Sequence, residues 1–165
     1  MQSHNQRHIS YANGYRELGM YQDALEELEK IEGPDGKDRS TRLLRLAVYT
    51  DQEDWPLVAR EAGSLVQEFP EEVAYWIQWA YGSRRSESVC AARTILLRAL
   101  RLFPEEPCIL YNLGCYACVE GEFGEALDMV SQAIAFDESY AKLAKKDEDL
   151  KALQDWLDAG GAPES

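Results

Sequence analysis

The sequence predicts an all-α protein, a solenoid of four stacked helix pairs followed by C-terminal capping helices. Three observations lead to this prediction. Small and apolar residues recur at a step of 34 positions, apolar residues within each copy recur at intervals of three and four, and helix-breaking residues separate the segments. Intervals of three and four are the period of a helix with one buried face. A fixed step of this length indicates stacked repeats, whose apolar faces are buried only between neighbours.

The repeat is clearest in four columns that stay small or apolar through four copies without an insertion. These columns are Ala12, Leu46, Ala80 and Gly114; Tyr21, Trp55, Val89 and Phe123; Ala24, Val58, Ala92 and Ala126; and Ile31, Leu65, Ala99 and Ala133. The copies predicted from them span about residues 5–38, 39–72, 73–106 and 107–140, within one domain over residues 1–158. We expect Ala92, Ala126 and Ala133 to be buried where helices approach closely.

Each copy divides into a helix, a tight turn, a second helix and a short link. Pro70 and Pro104 close the second and third copies, because proline cannot continue a helix interior. The turns are predicted near Gly19, Asp54, Glu87 and Gly121. At least nine helices and no strand are therefore expected.

The segment after the last copy has a different pattern. Its apolar stripe consists of Leu143, Leu150, Leu153, Trp156 and Leu157. We expect a short helix to about Lys145, a break at which Asp147 caps the next helix, and a helix from about Glu148. These capping helices at 141–158 should cover the last copy, and residues 159–165 should form a loose tail. The alternative is that this segment folds back into the groove of the solenoid.

The small–aromatic–small–small pattern at this step resembles the tetratricopeptide repeat family over about residues 5–140. The fourth copy carries it most specifically, with Leu113-Gly114, Gly121-Glu122-Phe123, Ala126 and Ala133. The resemblance implies a right-handed solenoid. The run from Asn112 to Cys118 followed by Asp147–Leu150 is also similar to small bacterial proteins of this class, for which no activity is defined. The sequence departs from the family at Arg42, Arg45 and Ser83, where the first helices of two copies could pack less tightly.

Charge and composition exclude several functions. The net charge is −13, from 17 basic and 30 acidic residues, so a nucleic acid would be repelled. No apolar run is long enough to span a bilayer, and no charged-then-apolar leader is visible, so a cytoplasmic location without membrane contact is expected. The four cysteines are then expected to be free thiols. The oligomeric state stays open.

The sequence offers little for catalysis, so we expect no enzyme activity, no cofactor and no metal. Two histidines, His4 and His8, could share a helix face, but no third ligand is apparent and packing explains His8 better. No glycine-rich phosphate loop or serine elbow is present. Cys108, Cys115 and Cys118 line one stripe of a helix, which leaves a thiol or soft-metal protein as an alternative to plain packing.

In the architecture that the resemblance implies, the first helices of successive pairs line a concave groove. The groove positions are Ile9, Asn13, Leu43, Leu44, Ala47, Ile77, Gln78, Tyr81, Tyr111, Asn112 and Cys115, with Arg16, Thr50, Arg84 and Arg85 at the outer edge. This lining suits a peptide segment of a partner protein, which indicates a non-catalytic scaffold or adaptor. A secretion-type chaperone for an unstable client is the alternative. Only Asn13 fits the clamp with which some family members grip chaperone C-termini, so that ligand is rejected.

Overall fold

The computed structural model describes residues 4–162, and over that range it contains ten α-helices, two short 3₁₀ segments and no strand. The α-helices are α1 (His4–Glu17), α2 (Tyr21–Glu29), α3 (Arg39–Asp51), α4 (Trp55–Glu68), α5 (Val73–Ser86), α6 (Val89–Leu102), α7 (Pro107–Val119), α8 (Phe123–Phe136), α9 (Ser139–Ala144) and α10 (Lys151–Asp158). The 3₁₀ segments are Gly33–Lys37 and Glu148–Leu150. The predicted all-α class is confirmed. Residues 1–3, at the start of the predicted domain, and 163–165, in the predicted tail, lie outside the described range.

Each helix packs mainly on its neighbours in the chain, from α1 on α2 through to α7 on α8. This nearest-neighbour order is that of a solenoid. One continuous core runs from α3 to α10, and a smaller cluster of Ala12, Leu28 and Ile31 joins α1 to the end of α2. None of the described helices is long and apolar enough to cross a bilayer.

The turns inside the four helix pairs lie where the sequence predicts them. Gly19 and Gly121 have φ of 73° and 83°, a left-handed conformation that glycine adopts without steric cost. Asp54 and Ser88 start the second helices of the middle pairs, where their side chains accept hydrogen bonds from backbone N–H groups of the first helical turn. Local sequence chemistry therefore determines each of these breaks.

Small residues let the helices approach closely. Ala92, Ala126 and Ala133 are fully buried, as predicted. A Cβ atom added at Gly114 in α7 would lie 2.6 Å from Cγ2 of Val130 in α8. Position 114 is therefore held to glycine by the neighbouring side chain and backbone of α8.

Two of the three departures from the family pattern are buried polar residues. Arg42 is buried between α3 and α4, where its guanidinium donates to Glu61 at 2.8 Å, Glu68 at 2.6 Å and Ser64 at 2.9 Å. A charge can be buried there because carboxylates neutralise it. Ser83 is also buried, and its hydroxyl has no hydrogen-bond partner among residues 4–162.

The C-terminal segment is a helix interrupted in the middle. α9 ends at Ala144, and the chain restarts at Glu148 after Asp147, whose carboxylate accepts from the backbone N–H of Asp149 at 3.0 Å. Leu150 and Leu153 are buried against α7 and α8. The ring of Trp156 lies 5.7 Å from that of Phe123. The predicted break and cap are confirmed, and the segment closes the end of the core.

Candidate protein-interaction surface

The first helices of the pairs, α1, α3, α5 and α7, carry the residues predicted to line the concave side of the solenoid. Ile9 and Leu44 pack partly against the small cluster between α1 and α2, whereas Leu43 and Ile77 pack partly against the main core. All four side chains also keep some exposure to solvent. The concave side of α1, α3 and α5 thus offers apolar surface.

Tyr81 is the most exposed of the predicted groove residues, with 38% of its surface accessible. Its ring packs edge-on against Trp55 at 5.4 Å. The guanidinium of Arg85, one helical turn further along α5, lies 3.5 Å from the centre of the Tyr81 ring and 5.0 Å from that of Trp55. Cation–π contacts of this kind hold an aromatic side chain in one orientation before any ligand binds.

The predicted amides differ in what they can offer a bound chain. Asn13 donates to Glu17 at 2.8 Å. Asn112 donates to the backbone carbonyl of Cys108 at 2.8 Å, so its amide nitrogen is already engaged within α7. Gln78 makes no side-chain hydrogen bond within the described part of the chain, and with Ala47 it stays partly exposed.

Two predicted groove residues, Tyr111 and Cys115, are not open to a partner. Only 4% of Tyr111 and 3% of Cys115 is accessible. The Tyr111 hydroxyl donates to Asp147 Oδ2 at 2.8 Å, its ring packs on Tyr140 at 4.9 Å, and the Cys115 thiol lies 3.7 Å from the same carboxylate oxygen. The prediction that both residues line an open groove is therefore wrong, because the segment between α9 and α10 covers α7. The C-terminal helix α10 itself packs at the end of the last pair, where Trp156 contacts Phe123.

Arg84, predicted at the outer edge, makes a contact that sequence reasoning did not foresee. Its two terminal nitrogens donate to the two carboxylate oxygens of Asp149 at 2.5 Å and 2.8 Å. These donors, with the charges of Arg84 and Arg85, hold the pKa of Asp149 below its usual value. The guanidinium also lies 5.3 Å from the centre of the Tyr116 ring, and burial raises the pKa of Tyr116 to about 12. No sequence signal pairs two residues 65 positions apart.

The three cysteines of α7 lie in surroundings that disfavour the thiolate. Burial raises the pKa of Cys108, of Cys118 and, together with the negative charge of Asp147, of Cys115. Thiols with a raised pKa are poor nucleophiles and poor soft-metal ligands at neutral pH. All four cysteines are free.

The N-terminal histidines form a small polar cluster. His8 Nδ1 lies 2.6 Å from Glu27 Oε2, and His8 Nε2 lies 3.1 Å from His4 Nε2. Between residues 4 and 162, no group of three or more His, Cys, Asp or Glu side chains is arranged to hold a metal ion.

Comparison with known proteins supports the architecture. No protein-family model matches the chain, and no curated protein sequence is significantly similar to it. Among solved structures, the MamA protein superposes with a TM-score of 0.68 at 15% identity, covering 98% of both chains. YrrB, described as a TPR protein with an unusual peptide-binding site, superposes with a TM-score of 0.65 at 18% identity, covering 87% of this chain and 75% of its own. At these identities the likeness concerns the fold, and the chain is accordingly an all-α solenoid of the tetratricopeptide-repeat type.

Proposed function

We propose that this protein is a non-catalytic scaffold that binds a peptide segment of a partner protein along the concave side of α1, α3 and α5. The observation that carries the proposal is the exposed Tyr81, held between Arg85 and Trp55 beside the half-buried Ile77. A tyrosine with a fixed ring buries a large area at little entropic cost, and its hydroxyl is left to form a hydrogen bond.

The neighbouring residues favour an extended or helical segment with apolar anchors. Ile9, Leu43 and Leu44 supply further apolar contacts, and the amides of Asn13 and Gln78 lie on the same side of the solenoid. Such a surface recognises side-chain anchors in shallow pockets while polar groups contact the backbone of the ligand. The peptide-binding site described for YrrB agrees with this use of the fold.

The proposed site ends at α5, because the C-terminal segment covers Tyr111 and Cys115. Asn112 stays partly exposed at the border of the site. The notion of a groove that reaches α7 is therefore replaced by a shorter site over three helix pairs. Changing Tyr111 would disturb the core as well as any ligand contact, so Tyr81 is the better residue to test.

The first experiment selects peptides from a displayed random library on the immobilised protein and measures the affinity of the synthesised peptide by calorimetry. We expect Tyr81→Ala to weaken binding about tenfold or more, the loss typical of a central aromatic anchor. The matched control is Leu97→Ala, because Leu97 has the same 38% accessibility but lies on α6, the second helix of its pair.

A second experiment locates the bound peptide directly. Amide shift changes in ¹⁵N spectra should concentrate on α1, α3 and α5. The proposal is refuted if the changes concentrate on α4 and α6, or if Leu97→Ala abolishes binding while Tyr81→Ala does not.

A further inference from the structure

The stretch from Asp147 to Asp149, at the start of the 3₁₀ segment that follows α9, places two carboxylates against the first helices α5 and α7. Asp147 accepts a hydrogen bond from the Tyr111 hydroxyl on α7, and Asp149 accepts two from Arg84 on α5. Glu148, between them, is exposed. The chain's own acidic turn therefore occupies the space where a ligand following the concave side past Tyr81 would lie.

The groups that hold this turn form a site suited to carboxylates. The two nitrogens of Arg84 face both oxygens of Asp149, the geometry in which a guanidinium recognises a carboxylate most specifically. The side chain of Arg84 is only 25% accessible, and its guanidinium lies over the Tyr116 ring. A preformed donor set of this kind is selective for planar anions.

A second cation lies beside this site without a carboxylate of its own. Within residues 4–162, no Asp or Glu forms an ion pair with Arg85, whose guanidinium contacts the rings of Tyr81 and Trp55. α7, which forms the other wall, contains no charged residue. In a protein of net charge −13, this end of the concave side thus holds two cations, of which only Arg84 is in a direct ion pair with Asp149.

We propose that Arg84, Arg85 and Tyr111 form a recognition site for the carboxylates of an acidic partner segment, and that the Asp147–Asp149 turn occupies this site until such a segment displaces it. The inference rests on the proposed function for the location of the partner on the concave side, and it adds the chemistry of the partner. The segment that fits carries an apolar or aromatic anchor for Ile77 and Tyr81, followed by Asp or Glu residues.

The proposal requires residues 147–149 to leave the site while the cap stays folded. The buried anchor Leu150 directly follows Asp149 and Leu153 lies one helical turn further on, whereas Lys145 and Lys146 before the turn are exposed. The side chain of Asp149 is 30% accessible, and ion pairs in contact with solvent contribute little net free energy. A ligand with several carboxylates can therefore compete with the turn, whose occupancy lowers the ligand's apparent affinity.

The test measures binding of a fluorescein-labelled hexaglutamate peptide by anisotropy, with hexaglutamine as the uncharged control probe. We expect Asp147→Asn with Asp149→Asn to bind hexaglutamate about tenfold or more tightly than the wild type, because the competing turn no longer pairs with the site. Adding Arg84→Gln to that variant should remove the gain. Arg101→Gln, at an exposed arginine of α6, is the matched control for this change of charge.

The gain in hexaglutamate affinity of the aspartate variant must also exceed the gain that follows from removing two negative charges elsewhere. Glu138→Gln with Glu148→Gln removes two exposed carboxylates and leaves both aspartates in place, so it should bind hexaglutamate no more than about twofold tighter than the wild type. The proposal is overturned if this control gains as much as the aspartate variant, or if Arg84→Gln leaves the gain intact. In either case the Asp147–Asp149 turn only holds the C-terminal segment in place.

One measurement avoids variants that could disturb the cap. In the wild type, titration with hexaglutamate should shift the amide of Asp149, because the carboxylate of this residue loses the Arg84 guanidinium when the turn leaves. An unchanged Asp149 amide at saturation contradicts the proposal. If Tyr81→Ala abolishes binding of the selected peptide while no variant changes the affinity for hexaglutamate, the inference fails and the proposed function stands. If Tyr81→Ala leaves peptide binding unchanged while the aspartate and arginine variants change the affinity for hexaglutamate, the carboxylate site stands and the apolar site fails.

Discussion

Glu53 occupies the position in the α3–α4 turn that Gly121 occupies in the α7–α8 turn, and both residues have a positive φ, of 58° and 83°. A side chain in this left-handed region costs roughly 1–2 kcal/mol, and glycine avoids that cost. The same turn is therefore strained in the second helix pair and relaxed in the fourth.

Substitutions at these two positions should change the free energy of unfolding in opposite directions. We expect Glu53→Gly to raise the free energy of unfolding by about 1 kcal/mol and Gly121→Ala to lower it by about 1 kcal/mol. Urea denaturation followed by circular dichroism measures both. The control is Gly124→Ala, whose added Cβ meets open space in the first turn of α8 and which should leave the protein as stable or more stable. A Gly121→Ala variant as stable as the wild type would contradict the assignment.

The buried Arg42 should be needed for stability only while the carboxylates of Glu61 and Glu68 lie beside it. Arg42→Leu leaves Glu61 and Glu68 beside an apolar side chain, and we expect a loss of about 1.5–3 kcal/mol, the range for hydrogen bonds to charged groups. Adding Glu61→Leu should recover most of this loss, because an apolar pair of similar volume can replace a buried ion pair. Chemical denaturation of both variants at neutral pH checks the prediction. A double variant less stable than the single one would show that this position requires a charge.

The Arg84–Asp149 ion pair should affect how the free energy of unfolding depends on pH in acid. The pKa of Asp149 is lower in the folded state than its unfolded value of about 3.9. Its stabilising contribution is therefore present above that value and is lost as the pH falls through the folded pKa. We expect the unfolding free energy of the wild type to fall more steeply below about pH 4 than that of Asp149→Asn. Glu148→Gln should follow the wild type, and parallel curves for all three would count against the pair.

The cysteines should differ sharply in their reactivity. Cys90 is exposed on α6, whereas Cys108 is half-buried and Cys115 and Cys118 are buried. Because burial also raises the pKa of these last three thiols, we expect Ellman's reagent to modify one thiol per folded chain rapidly and three slowly. Cys90→Ser should remove the rapid phase, and urea should expose the remaining thiols. A rapid phase that survives in Cys90→Ser would indicate an accessible thiol on α7.

Much of the fold is predictable from the sequence because its determinants are local or periodic. Gly19 and Gly121 end the first helices of their pairs through backbone conformation alone, and Asp147 starts a helix through a bond two residues away. The small residues at Ala92, Ala126 and Ala133 follow from a period of 34, since each repeat contacts its neighbours in the same way.

Tertiary structure alone decided which part of the concave side is open. Tyr81 and Cys115 occupy the same repeat position on successive first helices, yet Tyr81 is exposed and Cys115 is covered by Asp147, 32 residues further along the chain. The pairing of Arg84 with Asp149 likewise depends on where the interrupted C-terminal helix crosses the solenoid. The 34-residue repeat and the local helix and turn preferences depend on contacts between residues that are near one another in the chain, so they determined the helices and turns. The cap belongs to no repeat, and its position depends on how Leu150 and Leu153 pack into the end of the assembled core.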